Sequence, residues 1–263
     1  MERLFAAGQD ELLRFLLILA RVSPLMVTAP LWGSPLVPAQ VRVYLALLVA
    51  GLLLPVTRGG LPPELAASPW TLALAVGQEL VVGFLVAELA LLVFAAAQFA
   101  GQLADIQVGF GIANVIDPLT SAQVTIIGQL QYLTALFIFL LLDGHHLLLR
   151  GLADTFAAAP LGRPLAHAGA LSLVVSRGGS LLFRLGTSIA APTITALFLT
   201  NVAMGLVARM LPQMNIFMVG MPVNVGVGLL ALAASLSLFT AVWRGAVGGL
   251  GDELAALARA LKV

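Results

Sequence analysis

The run from Leu72 to Ala97 is the longest apolar stretch of the chain, and it constrains everything around it. A segment this long and apolar leaves its backbone N–H and C=O groups no water to bond to, so it must satisfy them internally, as a helix. Yet it carries Gln78, Glu79 and Glu88. Polar groups at such positions face protein or a wet cavity rather than lipid. Glu79 and Glu88 are separated by about 900° of helix rotation, which puts them on opposite sides. They cannot form one site, and two separate inter-subunit polar contacts are expected.

The other runs are just as compromised. Leu12 to Leu31 holds Arg14 and Arg21 at i and i+7, one stripe that must face a partner or a cavity at roughly 2.5–3.5 kcal/mol per arginine at a bilayer centre. Pro24, Pro30, Pro35 and Pro38 are expected to break that run. Val41 to Val56 is shorter, and Arg58 to Pro69 is a Gly/Pro-rich connector. Ile126 to Leu142 is cleanly apolar, and Arg150 to His167 reads as a loop. Ala168 to Leu211 carries Arg177 and Arg184 on one face, a break at Pro192, then Asn201 and Arg209. Pro212 to Asn215 is a further break. Ile216 to Trp243 is interrupted at Gly220, Pro222, Asn224, Gly226 and Gly228. The tail 252–261 reads as a short amphipathic helix with Leu254, Leu257, Ala258 and Leu261 on one face. A window reading gives about five or six spans.

Composition fixes the class. The chain is 60% hydrophobic and 10% charged, where soluble domains carry roughly 25% charge. It is an all-α, integral membrane-type protein; no alternating strand pattern supports a β-barrel. A net charge of +1, with scattered basic residues, argues for no nucleic-acid partner. The absence of cysteine removes disulfides, thiolate metal sites and cysteine nucleophiles. Acids at Glu2, Asp10 and Glu11 make the N-terminus a poor cleavable signal, so it is expected to be retained. Arginines near residues 42/58, 150/163 and 244/259 leave the membrane orientation undecided.

The most unusual segment follows the longest run. Gln98 to Val124 spaces Gln98, Gln102 and Asp105 at i, i+4 and i+7, on one helical face, then turns irregular through Gly109, Gly111 and Asp117-Pro118. Irregular, partly polar backbone between membrane-like runs is tolerable only where it is buried in protein or lines a wet cavity. That is a pore-like feature.

Enzyme chemistry finds little support. In Asp143-Gly144-His145-His146, adjacent histidines are expected to point to different faces of a regular element, and no i, i+4 pairing supplies a zinc site. A helix terminus with an Asp-Gly turn weighs against a metal or proton-relay role, so no metal is assigned. Asp105 and Asp117 lack the G-x-G-D context of an intramembrane aspartyl pair, and no nucleophile elbow, phosphate loop or dinucleotide fingerprint occurs. No cofactor is implied.

Taken in order, the motifs resemble the FliR family, the flagellar branch of the FliR/SctT export-gate proteins of type III secretion. The resemblance rests on Gly77-Gln78-Glu79-Leu80 with Gly83; Gln98 and Gly101 leading to Gln107-Val108-Gly109-Phe110, Ala113-Asn114 and Asp117-Pro118; and Leu142 to His146. It continues through Pro160-Leu161-Gly162, Ala191-Pro192, Asn201 with Gly205 and Arg209, and Pro212 to Phe217 with Gly220 and Pro222. It covers essentially the whole chain, implying one export-gate domain over 1–263. The resemblance implies an all-helical protein whose hairpins, with broken helices, pack into a hetero-oligomeric gate with FliP and FliQ subunits. It further implies FlhB and FlhA nearby, in the flagellar basal body at the bacterial inner membrane, with the gate toward the periplasmic side. It also implies a plug across the channel at Gly109, Phe110, Gly111, Ile112, Ala113, Asn114, Val115, Ile116, Asp117 and Pro118, continuing to Val124. Gln78, Glu79, Gln98, Gln102, Asp105, Arg177, Arg184, Arg209 and Asn215 are then expected as polar, inter-subunit groups.

Two functions compete. One is a non-enzymatic channel-forming subunit passing unfolded flagellar axial proteins. The other is a stand-alone proton-coupled secondary transporter using Glu79, Glu88 or Asp105 as carriers, with helices broken at Pro192 and Pro222.

Overall fold

The computed structural model describes residues 2–57, 61–66, 68–110, 125–163, 167–211, 213 and 215–262. All regular structure among them is helical. The helices are α1 (Glu2–Thr28), α2 (Ala39–Leu53), α3 (Pro69–Val108), α4 (Ile126–Leu141), α5 (Gly144–Ala158), α6 (His167–Leu173), α7 (Gly179–Met210) and α8 (Ile216–Ala260). A 3-10 turn at Pro63–Ala66 precedes α3, and a π-helical turn at Val174–Gly178 joins α6 to α7.

Two corrections concern continuity. Pro192 lies inside α7 and Pro222 inside α8, and neither ends its helix. A proline deletes one donor from a helix whose many other bonds are shielded from water, and a long apolar helix absorbs that loss. Pro24 likewise sits within α1. The amphipathic tail is the end of α8 rather than a separate helix. Leu254, Leu257 and Leu261 there are buried and Ala258 is half-buried.

The number of spans also changes. Among the described residues, three helical stretches are long and apolar enough to cross a membrane: Pro69–Val108, Ala168–Met210 and Met218–Ala260. α1 falls short because Glu11, Arg14 and Arg21 crowd its apolar part, and α2 is only 15 residues long.

The chain forms two compact units. The first comprises Met1–Leu92, Asp143–Gly179 and Gly248–Val263. Its core draws Leu17, Ile18 and Leu25 from α1, Val82 and Leu85 from α3, Leu148 and Leu152 from α5, and Leu254 and Leu257 from α8. α1 and α3 cross in backbone contact, since a Cβ at Gly83 would fall on the carbonyl of Arg21.

The second unit comprises Val93–Leu142 and Ser180–Val247. Phe94 is its aromatic centre, meeting Tyr132, Phe139 and Trp243 edge-to-face at 5.7, 5.2 and 5.1 Å between ring centroids. That is the separation and tilt favoured by ring quadrupoles. Trp243 is fully buried and satisfies its indole N–H by donating to the Ala135 carbonyl at 2.9 Å. A second cluster packs Ala104, Val108, Ile127 and Leu197, with Phe110, Val225, Val227 and Leu232 against it.

Candidate functional site

An arginine in an apolar helix needs a counter-charge and acceptors for its fork of donors. Arg21 finds both inside the first unit. Its Nε lies 2.5 Å from Glu79 Oε2. One terminal nitrogen donates to Thr155 Oγ1 at 3.3 Å and the other to the Ala159 carbonyl at 2.9 Å. The Thr155 hydroxyl in turn donates to the Leu152 carbonyl, and the Glu79 Oε1 accepts the Gly162 N–H at 3.2 Å. The guanidinium carbon stands 4.3 Å from the centre of the Phe156 ring, a cation–π contact on the remaining side. Burial pushes the Arg21 guanidinium below its usual range, while the Glu79 carboxylate opposes this through its charge and its hydrogen bond. α1, α3, α5 and the loop after α5 are thereby tied at one node. This corrects the expected role of Glu79: its carboxylate is buried and engaged within the chain, not held for a neighbouring subunit.

Asp105 is a second correction. Gln98, Gln102 and Asp105 share a helical stripe by sequence spacing, but the second unit treats them differently. Gln98 is exposed, Gln102 half-buried and Asp105 buried. The Asp105 carboxylate accepts the Ile127 N–H at 3.0 Å and the Gly128 N–H at 3.3 Å. These are first-turn N–H groups of α4, which has no side-chain cap of its own at Thr125. A carboxylate from α3 thus caps α4, where orphan donors and the helix dipole both favour negative charge. Asp105→Ala is expected to lower stability by about 1–2 kcal/mol, read as a lower thermal midpoint of the detergent-solubilised chain. Asp105→Asn, which keeps an acceptor, is expected to lose less.

Immediately after Asp105, α3 stops. Gly109 adopts φ 99°, a left-handed conformation that costs glycine little, and both Gly109 and Phe110 N–H groups return to the Asp105 carbonyl at 3.1 Å. Phe110 then packs against the Ala104 and Ile127 cluster. The rest of the expected plug (Gly111, Ile112, Ala113, Asn114, Val115, Ile116, Asp117 and Pro118, on to Val124) lies outside the described residues. Asp105 therefore joins the residue before that segment to the residues after it.

The remaining polar expectations scatter. Gln78 is half-buried and lines a cavity of about 210 Å³ in the first unit with Thr71, Leu74 and Ala75. Arg177 is exposed, 3.8 Å from Glu253 of α8. Arg184 and Arg209 are exposed. Asn215 caps α8, its side-chain oxygen accepting the Met218 N–H at 3.3 Å. Asn224 of α8 donates to Asn201 of α7 at 2.9 Å.

Around these residues, the three membrane-capable helices divide sharply. The apolar window of Pro69–Val108 is 61% buried, that of Ala168–Met210 22% and that of Met218–Ala260 11%. Phe198, Leu199 and Leu206 on α7, and Met218, Leu229 and Leu230 on α8, stand more than half exposed. Apolar area of this extent needs lipid or protein over it.

Sequence reasoning found Arg21 and Glu79 but not their pairing, and it missed Thr155 and Trp243 altogether. A charge inventory offered one clue: a buried arginine demands an acid, and Glu79 is one of few acids in an apolar run.

Residues 12–250 match the family described as bacterial export proteins, family 1. The chain is 35% identical over 232 residues to the flagellar biosynthetic protein FliR of Bacillus subtilis, covering 88% of each. It is 33% identical over 220 residues to FliR of Escherichia coli, covering 84% of this chain and 83% of that protein. To FliR of Aquifex aeolicus it is 30% identical over 239 residues, 89% of each.

Proposed function

Because the chain belongs to the FliR family of bacterial export proteins, and so to the flagellar export apparatus, we propose that it is a channel-forming subunit of the export gate. It passes unfolded flagellar axial proteins across the inner membrane, acts without catalysing a reaction, and works over 1–263 as one functional domain. The gate lies in the flagellar basal body and projects toward the periplasmic side.

The observation that carries this reading is the contrast between inside and outside. Glu79 and Asp105, the ionisable groups buried in α3, are hydrogen-bonded within the chain. The apolar faces of α7 and α8 are uncovered. A lone proton-coupled transporter needs the opposite, carboxylates free to exchange protons at a wet site. A subunit that is complete inside and bare outside suits an assembly with FliP- and FliQ-family subunits, with FlhB and FlhA nearby. Exposed Gln98, Arg184 and Arg209, with half-buried Gln102, are the polar groups left to meet those neighbours.

The plug is the segment 109–124. Its apolar sequence excludes water and ions when closed, and Gly109 gives a hinge at its start. Asp105 binds Gly109 and Phe110 at its start and Ile127 and Gly128 beyond its end. Deleting Gly109 to Gln123 and co-expressing the chain with FliP- and FliQ-like subunits is expected to leave assembly intact by native mass spectrometry. The same complex, reconstituted in vesicles, is expected to leak ions that the parent retains. An assembled complex that stays tight overturns the plug role.

A further inference from the structure

The Asp143-Gly144-His145-His146 turn does what its sequence spacing argues against. Adjacent residues of a regular helix diverge by about 100°, yet the His145 and His146 rings converge to 4.1 Å between centroids, tilted by 39°. Asp143, two residues before His145, is the one non-glycine residue with positive φ among the described residues (φ 54°, ψ 29°), at the position that opens α5. From there its carboxylate reaches across the first turn to His146, with Oδ1 3.3 Å from Nδ1.

One ligand atom from each of Asp143, His145 and His146 lies within 4.8 Å of the others. In a tetrahedral site with donors at 2.0–2.1 Å, neighbouring donors stand roughly 3.4 Å apart. The Asp143–His146 edge already has that length. His145 needs a closing movement of roughly 1–1.5 Å, within reach of small side-chain rotations. An independent observation concerns His145 itself: its Nδ1 is buried with no hydrogen-bond partner among the described residues. Such an atom lacks a partner that the fold ordinarily supplies.

We propose that Asp143, His145 and His146 form a binding site for a divalent first-row metal ion of the zinc class. Two imidazoles and one carboxylate, with no sulfur, suit Zn²⁺ or Co²⁺, whereas Mg²⁺ and Ca²⁺ demand oxygen-rich shells. The Asp143 and His146 side chains are 74% and 61% exposed, so water completes the shell and the ion exchanges freely. Its effect is local, fixing the turn that opens α5. The site does not depend on the export reading.

The test uses the untagged full chain in detergent, stripped with chelator, and Co²⁺ as a visible-absorbing probe. One equivalent of Co²⁺ is expected to produce d–d bands, and Zn²⁺ to abolish them by displacement. His145→Ala and His146→Ala are each expected to weaken binding at least tenfold. The chain has three histidines, so His167→Ala, which should bind as the parent does, is the matched control. Circular dichroism separates lost binding from lost folding. Absence of bands in the parent, or bands that survive both alanine substitutions in folded protein, overturns the site.

Discussion

Glu79→Leu is expected to destabilise the chain by about 3–5 kcal/mol, because it leaves the Arg21 guanidinium fully buried with no counter-charge. Thr155 and the Ala159 carbonyl would still accept its terminal N–H groups, but neither carries charge. Since whole domains are stable by only about 5–15 kcal/mol, the variant should accumulate poorly in membranes and melt early in detergent. The pairing is separable from mere loss of a side chain. Arg21→Met combined with Glu79→Leu removes both charges and fills the space with apolar atoms, and is expected to recover most of the loss. Glu79→Gln keeps one acceptor oxygen, enough for Arg21 or for the Gly162 N–H but not for both, and lacks the charge, so it should fall between. Thermal midpoints of the parent, Arg21→Met, Glu79→Leu and the double variant close a double-mutant cycle. A Glu79→Leu variant as stable as its parent, or a double variant no better than the single one, would rule out the buried pair as the organiser of the first unit.

The same node shows what could and could not be read in advance. The all-helical class was legible because apolar runs without water to bond must close their hydrogen bonds along the chain. That Arg21 could not face lipid was legible too. Its partner was not, since Arg21 and Glu79 stand 58 positions apart and only tertiary packing brings them together. Asp105 was read by its stripe, which is a local property, whereas its role as a cap is set by α4 arriving 22 positions later. Pro192 and Pro222 were given too much weight for the same reason: a proline's cost is local, but helix continuity is decided by everything packed around it. The Asp143–His146 contact starts from one left-handed residue, Asp143, which no spacing rule registers. Expectations for 111–124 fall on residues the structure does not describe, and they stand as proposals.

Gly101→Val is expected to cost about 3 kcal/mol, the upper end of the usual overpacking range, because what it meets is backbone. A Cβ at Gly101 would fall on the Cα and N of Gly128, where α3 and α4 touch main chain to main chain. Small residues permit that approach between membrane-type helices, and nothing larger fits without separating the axes. Separation has a specific consequence here. Four residues along α3, Asp105 holds the Ile127 and Gly128 N–H groups, so moving α4 outward stretches both bonds and opens the packing of Ala104 on Ile127. Gly77 supplies the control: a Cβ there meets nothing within 4 Å, and Gly77→Ala should be neutral or stabilising by up to about 1 kcal/mol through helix propensity alone. Amide hydrogen exchange at Ile127 and Gly128 should accelerate in Gly101→Val and stay unchanged in Gly77→Ala, with thermal midpoints moving in parallel. If Gly101→Val melts with its parent and protects both amides equally well, the close crossing does not hold α4 in place. If the expected loss occurs, the crossing and the Asp105 cap act together as the clamp at the base of the 109–124 segment. If the proposed plug reading holds, Gly101→Val should then also make an assembled gate leak, by loosening the contacts that flank the 109–124 segment while leaving its own sequence intact.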